Sequence, residues 1–221
     1  MNAHATLAIT GSAGSGRTSL AQVLAFPYSV LDLSDTFAHD LLIVVASASQ
    51  GVDGAVAAMW EHAADLGKPR LLVISHLDVG RTDDDEIRLI AERVLGEEVL
   101  PYCLPLADDE EEMAGTLTLS TLQIHDDIAG ITRPADDEHV TIAHDVRERL
   151  IEAVLSNTSD EALVSKALLG LSISPEQLDQ ELVQLTRNGV IALSLPVIPV
   201  QVNARPRVGL DELNSLITRL I

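Results

Sequence analysis

The stretch that most limits how this chain can fold is "TLAITGSAGSGRTSLAQVLAF", close to its start. "TLAIT" is a short apolar run with β-branched members. Stopped by Gly11, it reads as a buried strand entering a glycine turn. "RTSLAQVLAF" then reads as a helix that ends before Pro27. Strand, glycine turn and helix gather backbone N–H groups at one point, facing an anion. The spacing G-x-x-x-x-G-K-[ST] of a phosphate loop is met by Gly11, Gly16 and Thr18, with Arg17 where the lysine belongs. Two readings stay open: a working phosphate loop, or a corner that keeps glycine for its own geometry.

The rest of the chain supplies the context. "YSVLDL", "LLIVVA" and "RLLVIS" are further buried strands, and residues 52–66 put Val52, Val56, Met59, Trp60 and Ala63 on one helical face. An acidic helix runs from about Asp83 to Leu95. Alternating strands and helices mean a parallel sheet in an α/β fold. The pattern changes near residue 97. "VLPYCLPL", "GTLTLSTLQI" and "HDDIAGITRPADDEHV" suggest short strands joined by acidic loops. Thr116, Thr118 and Ser120 alternate with Leu117 and Leu119, as in a half-exposed strand. Three helices are expected next, the first with Val146, Leu150 and Ala153 on one face. The third, "SPEQLDQELVQLTRNG", has Ser174 as cap, Pro175 as first residue, Gln177 completing a capping box, and a stripe of Leu178, Leu182 and Leu185. A last strand, "PVIPVQV", precedes a loop and a terminal helix.

Composition narrows the function classes. The chain has 221 residues, 47% of them hydrophobic, which suffices for a full core, and only 2% aromatic, so that core is aliphatic. The formal charge is −20, which repels phosphate backbones and argues against direct DNA or RNA binding. One cysteine, Cys103, excludes an internal disulfide and suits a reducing cytosol. It lies in an apolar stretch and reads as inert. His62 and His76 lack partners at metal-ligand spacing, so a zinc site is not expected there. No secretory signal or membrane-length apolar run is visible.

With these segments in place the chain resembles the GTP-binding domain of translation elongation factor G and its bacterial paralogues. The resemblance is carried by "ITGSAGSGRTSL", by "LLIVVASASQGVDGAVAAMWEHAADLGKPRLLVISHLD", by "VLPYCLPLADDEEEMAGTLTL" and "RERLIEAVLSNTSDEALVSKALLG", and by "VNARPRVGLDELNSLITRL". It implies a P-loop NTPase-type parallel sheet with flanking helices, formed by residues 1–96 and 196–221, and an inserted α+β subdomain over 97–195. It further implies nucleotide contacts from Gly11, Ser12, Ala13, Gly14, Ser15, Gly16, Arg17, Thr18 and Ser19, from Ser75, His76 and Asp78, and from Asn203, Ala204 and Arg205. Thr18 and Asp32 would face Mg²⁺. In location it implies the cytoplasm.

The departures from the family matter as much. Arginine is longer and planar, so Arg17 is no conservative stand-in for lysine. The base-recognition motif N-K-x-D reads Ser75-His76-Leu77-Asp78, which leaves Asp78 as the specific contact to guanine. The first switch is missing, and D-x-x-G is reduced to Asp32-Leu33-Ser34-Asp35, with a charge where glycine senses the last phosphate. Thr36 stands where the family's water-orienting histidine belongs. Phosphoryl transfer rests on positioning and electrostatics, so no catalytic residue is assigned. The expectation is a degenerate module that binds GTP or GDP weakly, with Mg²⁺, and hydrolyses little or none. The alternative is a nucleotide-independent pseudo-GTPase scaffold that binds the ribosome, its stalk protein or another partner. The sheet is expected to keep five parallel strands, with "YSVLDL" at an exposed edge. The short link over Ser34–Asp40 is expected to be an extended crossover without a helix, leaving a sheet face to be covered by self-association or by a partner.

Overall fold

The computed structural model describes residues 6–30, 38–47, 51–75, 77, 84–199 and 207–221. In chain order its elements begin with β1 (Leu7–Thr10), α1 (Arg17–Val23), β2 (Tyr28–Val30), β3 (Leu41–Ser47), α2 (Gly54–Asp65), β4 (Arg70–Ser75), α3 (Asp84–Leu95) and β5 (Val99–Pro101). Then come β6 (Cys103–Ala107), β7 (Met113–Thr118), β8 (Gln123–Asp126), β9 (Ile131–Pro134), α4 (Asp137–Asn157), α5 (Glu161–Leu168), α6 (Pro175–Arg187), β10 (Ala192–Pro196) and α7 (Leu210–Leu220).

The main sheet is parallel throughout, in the order β2-β1-β3-β4-β10-β5. It has six strands rather than the expected five. The sixth is β5, from "VLPYCLPL", expected as a short strand of the inserted lobe, which instead joins the main sheet beside β10. Its register with β10 pairs Val99 with Ala192 and Pro101 with Ser194, and a proline is tolerated on such an edge. The last strand also starts earlier than expected, at Ala192, and Ile198 makes only an isolated bridge to Val208. β5 thus comes from within 97–195, and β10 starts there and ends at Pro196. The second sheet, β6-β7-β8-β9, is an antiparallel meander.

Strands buried on two faces need apolar side chains at every position, which is why "LLIVVA" and "RLLVIS" do not alternate. One face of the sheet carries Leu7, Ile9, Leu41, Ile43, Val45, Leu71 and Val73, packed with α1 and α7. The other carries Ala8, Leu42, Val44, Leu72 and Ile74, packed with α2 and α3. The expectation of a bare sheet face calling for a second copy or a partner is therefore corrected: the chain's own helices, α1 and α7 on one side and α2 and α3 on the other, cover both faces. The exposed edge is as expected, a three-residue β2 with Tyr28 exposed. The link through 31–37, with its expected extended crossover, lies outside the described residues.

Local chemistry sets the helix ends. Asp53 caps α2 by accepting from Ala55 and Val56 N–H, and Gly67 terminates it at φ 62°. Ser174 caps α6 by accepting from Gln177 N–H, with Pro175 in the first turn, and Leu178, Leu182 and Leu185 are buried as expected. In α4 the fully buried positions are Ala143, Leu150 and Val154, with Val146 and Ala153 packed at the margin.

Two polar clusters join the layers. At the far end of α2, Glu97 accepts from Trp60 Nε1 and from Arg70 Nη2, each at 2.7 Å. The Arg70 guanidinium also donates to Lys68 O and Gly189 O and stands 5.7 Å from the Trp60 ring centroid. Between the second sheet and α7, Thr116, Thr118 and Ser120 are buried, not half-exposed. Thr118 Oγ1 lies 3.6 Å from Cys103 Sγ. Ser120 Oγ donates to Asp179 at 2.7 Å, Arg219 pairs with Asp179, and His125 Nδ1 lies 2.9 Å from Glu212 Oε1. Gly209 N–H donates to Asp127 at 3.1 Å. Cys103 is buried beside Thr118, and burial pushes its thiol well above the ordinary range, so it is inert.

Candidate functional site

The glycine loop sits where β1 ends and α1 begins. Gly11 is pressed against the neighbouring strand: a Cβ there would stand 2.4 Å from Val45 O and 2.6 Å from Ser15 Oγ, so no larger residue fits. Gly14 and Gly16 turn the chain through φ 83° and 87°, and Ser15 N–H donates to Ser12 O at 3.1 Å to close the turn. Leu20 N–H then donates to Gly16 O, which starts α1. Ala13 and Gly14 are exposed on the outside of the loop, and Thr18 lies in the first turn of α1 with Ser19 beside it. Ser15 is fully buried, and its hydroxyl has no hydrogen-bond partner among the described residues.

Three side chains hold this loop from different directions. Arg17 folds back, and Nη1 donates to Gly11 O at 2.7 Å. Ser75, at the end of β4, donates from Oγ to Ser15 O at 2.5 Å, with Ala46 O at 3.3 Å. Ser12 Oγ donates to Asp53 Oδ2 at 3.0 Å, which ties the loop to the start of α2. Asp53 was not among the residues expected at the site. Its carboxyl is held below the usual range first by the Val56 amide, then by Ser12, the Ala55 amide and the positive charge of Arg17. The site therefore has a fixed carboxylate close to its one cation among the described residues. A signal existed: "VDGAV" puts an acid at a helix N-cap, but nothing in the spacing connects that acid to Ser12, 41 residues earlier.

The structure brings Gly11 to Ser19 and Ser75 together. Asp32, His76, Asp78, Asn203, Ala204 and Arg205 lie outside the described residues. A glycine turn leading into a helix N-terminus is the kind of place where main-chain N–H groups can meet an anion. The cation of the loop is differently engaged, since one of its N–H groups is spent on the loop's own carbonyl.

No protein-family model matches the chain. Over 182 residues it is 31% identical to a protein called Elongation factor G-like protein in Mycobacterium tuberculosis, strain CDC 1551 / Oshkosh, and equally to its counterpart in strain ATCC 25618 / H37Rv. The chain is a relative of the elongation factor G-like proteins. The match takes in 82% of this chain but 24% of the Mycobacterium protein, so about a quarter of that elongation factor G-like relative is represented. A crystal structure of a Thermus thermophilus protein superposes with a TM-score of 0.76 at 21% identity, covering 99% of this chain and 40% of the other. That likeness shows the fold: a parallel α/β sheet with an added antiparallel lobe, as the resemblance to elongation factor G implied. Among the described residues no helix is long and apolar enough to cross a membrane.

Proposed function

We propose that this chain is a degenerate nucleotide-binding module of the elongation factor G-like kind, which takes GDP or GTP weakly and hydrolyses neither at a useful rate. The observation that carries the reading is the 2.7 Å bond from Arg17 Nη1 to Gly11 O. The glycine turn still offers N–H groups to a phosphate, while the charge that would meet it is tethered and stands near Asp53. Loop residues 11–19 would hold the phosphates, and Asp78 would read guanine. Bound Mg²⁺ offsets phosphate charge, and Thr18 and Asp32 are the residues that would hold it. Asp35 in place of a glycine and Thr36 in place of a histidine support the loss of turnover. The kinship supports a place in translation in the cytoplasm, on the ribosome or its stalk protein.

A second reading is favoured by the same loop. Ser75 and Arg17 both satisfy its main chain from inside, as a purely structural corner requires. On that reading the chain is a nucleotide-independent scaffold for a protein partner. Titration calorimetry with GDP and GTP, with and without Mg²⁺, separates the two. A weak saturable isotherm is expected, tightened about tenfold or more in Arg17→Lys, because a hydrogen bond to a charged group contributes ~1.5–3 kcal/mol. Silence from both proteins would leave the scaffold. Ribosome-stimulated phosphate release that is lost in Thr18→Ala would overturn the hydrolysis-deficient reading.

A further inference from the structure

The outer face of α2 is only half covered. Gly54, Ala57, Ala58, Glu61 and Ala64 recur at helical spacing along it, and with the C-terminal end of α3 they line an open groove of about 470 Å³. On the α3 side the lining residue Val94 is 37% exposed, and Ile90, one turn earlier and beyond the lining, is 42% exposed. A surface helix normally turns such residues inward. With nothing larger than alanine along much of its floor, the groove lets another helix approach within the 8–10 Å of ordinary helix packing. The α2 helix of 12 residues is about 18 Å long at 1.5 Å per residue, room for roughly three turns of a partner.

Charge selects the occupant. Among the described residues from 54 to 98, the exposed carboxylates are Glu61, Asp65, Glu86 and Glu98, against one exposed guanidinium, Arg93. A second copy of the chain would set this acidic rim against itself, with a formal charge of −20 on each molecule. We propose that the groove docks a cationic amphipathic helix of another protein. Its short apolar face lies on Ala57, Ala58 and Val94, and its lysines or arginines meet Glu61. This mode reads an i, i+3/i+4, i+7 face against a groove and a charged rim against its complement. The Gly54 end of the groove adjoins Asp53, which ties α2 to the glycine loop, and the rest of the groove runs along α2 away from that loop.

Trp60 makes the test direct. It is the chain's only tryptophan, it is nearly fully buried, and it lines this groove. The full chain is titrated, by tryptophan fluorescence, with a synthetic peptide helix bearing an alanine–leucine face and a lysine rim, and with a twin bearing glutamate instead. The lysine peptide is expected to give a saturable change that weakens at least tenfold between low and high salt. Ala58→Glu is expected to abolish it and Glu61→Lys to weaken it about tenfold. Val94→Lys, on the opposite wall of the groove, repeats the loss if Ala58→Glu does not fold by circular dichroism. Equal binding of the glutamate twin, indifference to both groove substitutions, or no saturable signal would overturn the proposal. So would a concentration-dependent dimer in sedimentation that Val94→Lys disperses, since the occupant would then be a second copy.

Discussion

Glu97→Ala is expected to cost the fold about 3 kcal/mol. Arg70 is 2% exposed and Glu97 26% exposed, so their pair lies between a surface bridge at ~0–1 kcal/mol and a fully buried one, whose breaking costs ~3–5 kcal/mol. The exposure of Glu97 places this pair near ~2 kcal/mol. Arg70 keeps Lys68 O and Gly189 O but loses its counter-charge, while the Trp60 indole loses its only described acceptor, for about 1 kcal/mol more. For a chain of this size ~3 kcal/mol corresponds to a fall of about 6–12 °C in Tm. Urea unfolding followed by circular dichroism should show a lower midpoint at an unchanged slope. The paired replacement Arg70→Met with Glu97→Met should recover much of the loss, because neither charge is then stranded. A loss below about 1 kcal/mol in Glu97→Ala, or a double replacement worse than the single one, would refute the reasoning.

Three further outcomes follow from the geometry. Gly11→Ala should lower stability by ~2–4 kcal/mol, read by thermal denaturation, because its Cβ would stand 2.4 Å from the Val45 carbonyl in a packed strand. Asp53→Ala should cost ~1–2 kcal/mol through the lost α2 cap and the Ser12 tether, whereas Asp53→Asn, which still caps, should cost less than half of that in the same assay. Burial raises Asp127 to about 6, against the pull of the Gly209 amide, from an unfolded value of ~3.9. The folded chain therefore binds the extra proton between about pH 4 and 6, and stability falls as pH rises through that window. His125 adds the same sign higher up. Its bond to Glu212 raises it, so its contribution is full below ~6.5 and lost as pH climbs through the folded value. Asp127→Asn should therefore gain on the parent at pH 8 and match it near pH 4, in melting curves recorded across pH.

What could be read from the sequence was what repeats. The Leu178–Leu182–Leu185 stripe, the Val56–Trp60–Ala63 face and the unbroken apolar strands each express one period, and each is buried as that period requires. The misses were of another kind. β5 reads as a strand, but at three residues it carries no signal of which sheet it joins, and only the presence of β10 beside it sets that. Thr116, Thr118 and Ser120 look solvent-facing by polarity alone, yet all three are buried, with Ser120 bonded to Asp179 of a distant helix and Thr118 against Cys103 of the neighbouring strand. The glycine frame of the loop was legible because sterics leave no alternative at Gly11. The engagement of Arg17, Ser75 and Asp53 was not, since each bond joins segments whose meeting only the fold determines.

The position of β10 has a consequence during synthesis. Leu71 of β4 pairs with Leu193, which is 122 residues later in the chain (193 − 71). At ~5–20 residues per second a translating chain takes about 6–24 s to cover that distance. Throughout that interval the nascent α/β half has β4 as a bare apolar edge, in register for any strand that reaches it. The loop-closure term for so long an excursion grows only logarithmically, so the finished sheet suffers little in stability. The hazard is temporal: this is a chain whose sheet is sealed late in the synthesis of the domain, and a holdase or slow elongation past β4 would change its yield far more than its melting point.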